Sequence, residues 1–129
     1  MDTTRLKSIP LFAGLSDRDL RQVAQWADEV EVQEGKQLVR QGEFAYEFFV
    51  IEEGKAEVTK DGRHLGELGP GDFFGEIALL AAEHRTASVT ATSPMRLIVM
   101  FGREFRSMAK AMPHVAEEIQ RAIGERLGR

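Results

Sequence analysis

The hydrophobic positions of this chain follow helical spacing at both ends and strand-like spacing in the middle. After Ser16, apolar residues recur every three or four positions, which is the spacing of one helix face. Ser16 followed by Asp19 is a capping-box pattern that begins a helix, and Leu15 with Leu20 can form a hydrophobic staple around it. The pattern therefore predicts a helix after Ser16 with an apolar stripe made of Leu20, Val23, Ala24 and Ala27.

Short apolar segments punctuated by glycine fill the middle of the chain. Eight of the twelve glycines lie between Gly35 and Gly75, and such glycines supply the positive φ of tight turns. Asp61-Gly62 is a strong hairpin signal, and the apolar run 48–51 suits a strand covered on both faces. The predicted strands recur about every 8–12 residues, which favours an antiparallel sandwich, jelly roll or barrel. Strands are predicted at residues 38–40, 48–51, 56–59, 63–65, 86–90 and 97–101, and residues 28–34 as a solvated strand face.

Two further helices are predicted after these strands. Phe105, Met108 and Met112 have helical spacing, and Pro113 should break or redirect their helix, since proline lacks an N–H donor. The other phenylalanines and Trp26 are expected in the core. The last helix presents one apolar face made of Val115, Ile119, Ala122, Ile123 and Leu127.

Composition narrows the class of protein. The 129 residues carry a net charge of −4, contain no cysteine, and suffice for one domain with its own core. Disulfides, thiolate metal sites and cysteine nucleophiles are therefore excluded. No apolar run approaches the roughly 20 residues of a membrane span, and no signal peptide is evident, so a cytoplasmic location is expected. The net charge argues against a nucleic-acid partner, because a phosphate backbone needs a local surplus of Lys and Arg. Residues 28–57 hold nine acids and three bases, whereas residues 96–129 hold seven bases and four acids.

Metal and catalytic motifs are not evident in the sequence. His64, His84 and His114 are scattered, without the clustered spacing of a metal site. No serine lies in a nucleophile-elbow motif with a histidine placed to serve it. The sequence therefore indicates a binding protein rather than an enzyme.

The segment from Gly71 to Val89 carries the most chemical information. Gly75 precedes a predicted short helix over residues 76–81, and the unpaired N–H groups at a helix start form an anion site. Arg85 can meet the same anion with a forked pair of hydrogen bonds, and Thr86 adds a hydroxyl group. The Glu76 carboxylate suits a sugar hydroxyl. These residues fit a ligand with one phosphate and one ribose 2′-OH.

Residues 74–80, Phe-Gly-Glu-Ile-Ala-Leu-Leu, followed after four residues by Arg85-Thr86-Ala87, resemble the phosphate-binding cassette of cyclic nucleotide-binding domains. Such domains occur in catabolite activator protein, protein kinase A regulatory subunits and cyclic-nucleotide-gated channels. The resemblance extends from Leu11–Ser16 through the turn glycines to the final helices. His84 departs from the family, because many members have proline at that position.

The resemblance implies a β jelly roll (a double-stranded β-helix) with an N-terminal helical segment, residues 1–28, a β-roll, 29–101, and two lid helices, 102–129. The implied ligand is cAMP, with cGMP less favoured, and no metal is involved. Arg85 would pair with the phosphate and Glu76 with the 2′-OH, while the last helix would cover the base. The other implied contacts are backbone donors at Gly75, Ile77 and Ala78, phosphate and base-edge contacts at Thr86 and Ala87, and Arg126 over the purine.

Two other interpretations remain open on the residues. The chain could keep the fold without binding nucleotide, with Glu76 and Arg85 as a structural pair and the helices contacting a partner protein. It could also be one piece of a larger transcription regulator or channel, although it carries no DNA-reading element of its own. The stripe on the last helix suits a lid, packing on the barrel, or a homodimer contact equally well.

Overall fold

A computed structural model of the chain describes residues 2–75 and 84–127, the last five of these by backbone alone. The described residues begin and end in helices and form strands between them. In chain order the elements are α1 (Thr3–Lys7), α2 (Asp17–Trp26), β1 (Asp28–Val32), β2 (Gln37–Val39), β3 (Glu47–Glu53), β4 (Ala56–Lys60), β5 (Arg63–Leu68), β6 (Phe73–Phe74), β7 (Ser88–Ala91), β8 (Met95–Phe101), α3 (Gly102–Ala111) and α4 (Pro113–Leu127).

The strands form two antiparallel four-stranded sheets. One has the order β1-β8-β3-β6 and the other β2-β7-β4-β5. Neighbours in each sheet are mostly distant in sequence, as in a rolled sheet rather than a simple meander. The predicted architecture, mainly antiparallel β with flanking helices in a jelly roll, is confirmed.

Strands β3 and β8 are central and separate two hydrophobic clusters. Successive side chains of a strand point to opposite faces, so both faces of these strands can be buried at once. Phe48 and Val50 belong to the cluster on the helical side, whereas Phe49 and Ile51 belong to the cluster inside the roll. The prediction that residues 48–51 form a strand covered on both faces is confirmed.

Helix α2 begins, and α3 ends, where the sequence signals predicted. The Ser16 side chain caps α2 by accepting a hydrogen bond from the Asp19 N–H at 3.1 Å. Pro113 separates α3, which ends at Ala111, from α4. The helices contribute to the helical-side cluster with Leu6, Leu20, Val23, Phe105, Met108, Met112, Val115 and Ile119.

Some predictions from the sequence differ from the structure. Helix α1 was not predicted as a separate helix, because its five residues carry no strong periodic signal. Strand β7 begins at Ser88, two positions later than expected. Phe44 and Phe101 were expected in the core but are 60% and 57% exposed. Phe44 lies in the connection before β3, and Phe101 ends β8 beyond the region that either cluster covers.

Ion pairs connect helix α1 to strands β1 and β3. Arg5 donates a forked pair of hydrogen bonds to Glu52, both 2.8 Å, and also pairs with Glu29. Hydrogen bonding to Glu29 and Glu52 raises the pKa of Arg5 above its usual value. Arg96 on β8 pairs with carboxylates of β1 and β3. None of the helices in the described part has the length and hydropathy of a membrane-spanning segment.

Candidate functional site

Gly75 stands at the point where the chain leaves β6. Its φ is +94°, a left-handed conformation that side chains other than glycine rarely adopt. A Cβ built on Gly75 would lie 2.8 Å from Arg85 Nη1 and 2.8 Å from the Glu47 carbonyl oxygen. Only glycine therefore permits this close approach between the end of β6, the start of β3 and Arg85.

Arg85 is the buried charged residue of this region, with 7% of its surface exposed. Its Nη1–H donates to the Gly75 carbonyl oxygen at 2.9 Å, and its Nη2–H donates to the Glu47 carbonyl oxygen. Burying a cation is costly unless it is hydrogen-bonded, and a guanidinium offers five donors for that purpose. Arg85 is thus held beside Gly75 by two strands that are distant in sequence.

The backbone of Arg85 is held by the segment between β2 and β3. The Arg85 N–H donates to the Glu43 carbonyl at 2.7 Å, and the Gly42 N–H donates to the Arg85 carbonyl at 2.8 Å. Next to these bonds, the Phe44 and His84 rings lie with their centroids 4.1 Å apart. The one signal of this segment in the sequence is the turn glycine Gly42, whose φ is +89°, and it points to no functional role.

Strand β6 is short, and an aromatic stack holds it in place. Phe74 pairs with Phe49 of β3, with ring centroids 4.7 Å apart and nearly parallel planes. Stacked aromatic pairs contribute beyond their buried area. The stack fixes the residue immediately before Gly75, so the position of the glycine follows from the core of the roll.

The predicted site residues are partly described by the structure. Gly75 and Arg85 are brought together by the hydrogen bond above, and Arg85 leads directly into Thr86, which is exposed, and Ala87, which is half-buried. The backbone of α4 includes Arg126, whose side chain is not described. Glu76, Ile77 and Ala78, together with the predicted short helix at 76–81, lie outside the described residues.

The arrangement suits an anion. Arginine forms forked, charge-assisted hydrogen bonds with phosphate, and a buried guanidinium acts in a medium where such bonds are stronger than in water. Two grooves among the described residues lie along β1. Their linings combine the carboxylates of Glu31, Glu34 and Glu53 with the cations of Arg96 and Lys36, whereas the Gly75–Arg85 region presents a buried guanidinium.

The described histidines have separate local neighbours. His64 lies 3.2 Å from the Glu57 carboxylate, His84 packs on Phe44, and His114 lies beside Gly14. Within residues 2–75 and 84–127, no group of three or more histidine or acidic side chains is placed to hold a metal ion.

The comparisons with known proteins cover the segments that form this region. The family model described as the cyclic nucleotide-binding domain matches residues 29–112. The matched range covers the roll, the Gly75–Arg85 region and α3. It therefore includes every described element that positions Arg85.

Relatives and solved structures extend the match to the flanking helices. A putative potassium channel protein of Rhodopseudomonas palustris is 34% identical over 124 residues, which are 94% of this chain and 30% of the relative. The regulatory domain of Toxoplasma gondii protein kinase A with cAMP has a TM-score of 0.82 at 26% identity, covering 95% of this chain and 48% of that one. The catabolite activator protein of Thermus thermophilus has a TM-score of 0.79 at 28% identity, covering 92% and 58%.

Proposed function

The chain belongs to the cyclic nucleotide-binding domain family, and from this premise we propose that it is a regulatory sensor that binds cAMP in preference to cGMP. It acts by binding rather than by catalysis, as a stand-alone module in the cytoplasm. The ligand contacts the region of Gly75 and Arg85. The sequence carries no serine in a nucleophile-elbow motif with a histidine placed to serve it, which favours a binding role.

The observation that carries the proposal is the burial of Arg85 beside Gly75. An arginine with 7% exposure in an acidic chain needs an anionic or hydrogen-bonding partner to offset its desolvation. The carbonyl oxygens of Gly75 and Glu47 accept hydrogen bonds from the guanidinium. A cyclic phosphate accepts a forked pair of charge-assisted hydrogen bonds from a guanidinium group. When it binds, it can therefore replace the weaker carbonyl acceptors of Arg85.

The remaining site residues take the roles that the family implies. Glu76 accepts the ribose 2′-OH, and the backbone N–H groups of Gly75, Ile77 and Ala78 donate to phosphate or sugar. Thr86 and Ala87 follow Arg85 toward the solvent side, where phosphate and the base edge lie. Because a 2′-OH distinguishes these ligands from deoxynucleotides, the pair of Glu76 and Arg85 would recognise both ends of the ribose phosphate.

We further propose that α3 and α4 close over the base, with Arg126 above the purine. The first turns of α4 are anchored, because Val115 and Ile119 are buried in the helical-side cluster with residues of α1 and α2. Closure therefore moves the helices with part of this cluster or bends α4 beyond Ile119. A ligand drives that change only through its greater affinity for the closed form.

A second candidate function is a protein-interaction module without nucleotide binding. The observation in its favour is that two backbone carbonyls already accept hydrogen bonds from the Arg85 guanidinium, as a purely structural arginine would require. The interaction would use the C-terminal helices, with a second copy or another protein and without DNA contact by this chain. The chain spans about a third of the length of the channel relatives that it matches, so we also consider it as one part of a larger regulator.

A thermal-shift titration separates the two functions. Ligand at 100 times its dissociation constant adds about 2.7 kcal/mol to the free energy of unfolding, because it binds only the folded state. We expect a rise in melting temperature with both cyclic nucleotides, with a lower half-saturating concentration for cAMP. AMP serves as the control, since it lacks the cyclic phosphate. A melting temperature unchanged by either cyclic nucleotide contradicts the sensor and favours the interaction module.

Substitution of Arg85 tests the site directly. Arg85→Ala should weaken cAMP binding by at least about 30-fold, because removing one partner of a buried charged hydrogen bond typically costs about 2–5 kcal/mol. Isothermal titration calorimetry gives the affinity, and Arg18→Ala, an exposed arginine of α2, is the matched control. Equal affinities for Arg85→Ala and the wild type, with the fold verified by circular dichroism, would reject this site.

A further inference from the structure

The solvent face of α3 is basic. Arg103, Arg106 and Lys110 are exposed, and at about 100° per residue they lie on one side of the helix with Ser107. The opposite side holds the buried Phe105 and Met108. The core therefore fixes the orientation of α3, and the three cations necessarily face outward together.

These cations have no acidic partners among the described residues. The ion pairs of that part of the chain involve Arg5, Arg40, His64, Arg96 and Arg121. The one acid on α3, Glu104, is half-buried and makes no ion pair there. The face is thus a local positive surface on a chain whose net charge is −4.

Two exposed aromatic residues lie near the start of the same helix in the chain's hydrogen bonding. Phe101, 57% exposed, is the N-cap residue of α3 and makes no side-chain capping hydrogen bond. Tyr46 is 65% exposed, and its carbonyl accepts the Gly102 N–H at 2.8 Å. Serine, threonine, aspartate or asparagine would stabilise this helix start, whereas phenylalanine offers only an exposed ring. A residue that neither caps nor packs in the core is suited to contact another molecule.

We propose that this surface, defined by Tyr46, Phe101, Arg103, Arg106 and Lys110, docks an acidic amphipathic helix of a partner protein. Exposed arginines and aromatic rings together are the composition of protein-interface hot spots. The guanidinium group of arginine forms paired hydrogen bonds with a carboxylate. The three cations are spaced three and four residues apart on α3, so acids with the same spacing on a partner helix can lie opposite them.

Charge also favours a protein over a polyanion. Nine acids against three bases in residues 28–57 would repel a nucleic acid or an anionic bilayer that spreads over more than this one helix. A single acidic helix contacts the basic face alone. The surface does not include Gly75 or Arg85, so the proposal does not rest on the nucleotide site. Because α3 is proposed to move when nucleotide binds, the test uses nucleotide-free protein.

The probe is a fluorescent helical peptide of about 16 residues, with glutamates spaced three and four apart and leucines at one end of that face. Its control is a scrambled peptide of equal composition. Each exposed ion pair contributes only a fraction of a kcal/mol, so the three pairs together should give a modest preference. We expect the patterned peptide to bind roughly tenfold more tightly than the scrambled one at low salt, where screening is weak. Fluorescence anisotropy measures both affinities.

Charge reversal on the protein completes the test. Arg103→Glu with Arg106→Glu should abolish the preference for the patterned peptide, whereas Arg18→Glu with Arg21→Glu on α2 changes the net charge equally and should retain it. Circular dichroism verifies the fold of both variants. Equal binding of the two peptides, equal loss in both variants, or retention by phosphatidylglycerol vesicles in preference to the peptide would overturn the proposal.

Discussion

At the scale of single residues, the site depends on the pair formed by Gly75 and Arg85. The glycine has a left-handed backbone and no side chain, and the arginine occupies the space that a side chain would need. The left-handed φ is shared by other turn glycines of this chain, but the crowding differs between them. Gly35 has nearly the same φ, +91°, but no atom within 4 Å of the position where a Cβ would stand.

The two glycines provide a matched experiment. Gly35→Ala should cost about 1–2 kcal/mol of unfolding free energy, because alanine is strained in the left-handed region. Gly75→Ala carries the same strain and also drives a Cβ against a backbone oxygen and the Arg85 guanidinium, so it should cost more. Urea unfolding measures both losses, and calorimetry with cAMP should show weakened binding in Gly75→Ala alone. Equal losses of stability and unchanged binding in both variants would contradict this account.

At the scale of elements, local capping and long-range pairing contribute differently. The Ser16 hydroxyl stabilises α2 through one hydrogen bond within four residues of sequence. Strand β6 has only two residues and depends on Phe49 of a distant strand. Elements of the first kind are predictable from a short window of sequence, and those of the second kind depend on the assembled sheet.

Removing the cap tests the local contribution. Ser16→Ala should lower the free energy of unfolding by about 1 kcal/mol, since it leaves the Asp19 N–H without its side-chain acceptor. Ser107→Ala on the exposed face of α3 is the control and should be neutral or slightly stabilising, because alanine is the better helix former. Urea denaturation of the three proteins gives the comparison. A control that loses as much stability as Ser16→Ala would show that the cap is not the cause.

At the scale of the whole molecule, the central strands connect the two hydrophobic clusters. Residues of β3 and β8 alternate between the helical side and the inside of the roll, so the same two strands carry both clusters, and losing either cluster removes the packing from one face of them. The helices and the roll should therefore unfold together rather than as separate units.

Two probes can test this coupling. Trp26, the single tryptophan, packs against the helical-side cluster, whereas the far-ultraviolet circular dichroism includes the strands. Their urea transitions should coincide, as expected for a two-state domain of this size. Phe105→Ala removes a ring buried in the helical-side cluster. It should lower the free energy of unfolding reported by both probes by the same amount, about 3–5 kcal/mol. Transitions that separate in this variant would mean that the roll is stable without its helices.

The sequence by itself determined the types of most elements and the identity of the motif. Hydrophobic spacing and capping residues act within a few positions, which is why the helix after Ser16, the buried strand 48–51 and the break at Pro113 were predictable. The resemblance to cyclic nucleotide-binding domains rested on residues 74–80 and 85–87, which are close in sequence. That Gly75 contacts Arg85 followed from no local pattern, although both residues were assigned to the site.

The tertiary structure decided what holds Arg85 and which aromatic rings reach solvent. The acceptor at Glu47 and the backbone bonds to Gly42 and Glu43 come from a segment about 40 residues away. Backbone carbonyls carry no residue identity, so the sequence does not reveal such partners. Phe44 and Phe101 match core residues in type, and only the end of the sheet leaves them exposed. Exposure and long-range hydrogen bonding depend on where strands end and meet, which the assembled fold determines.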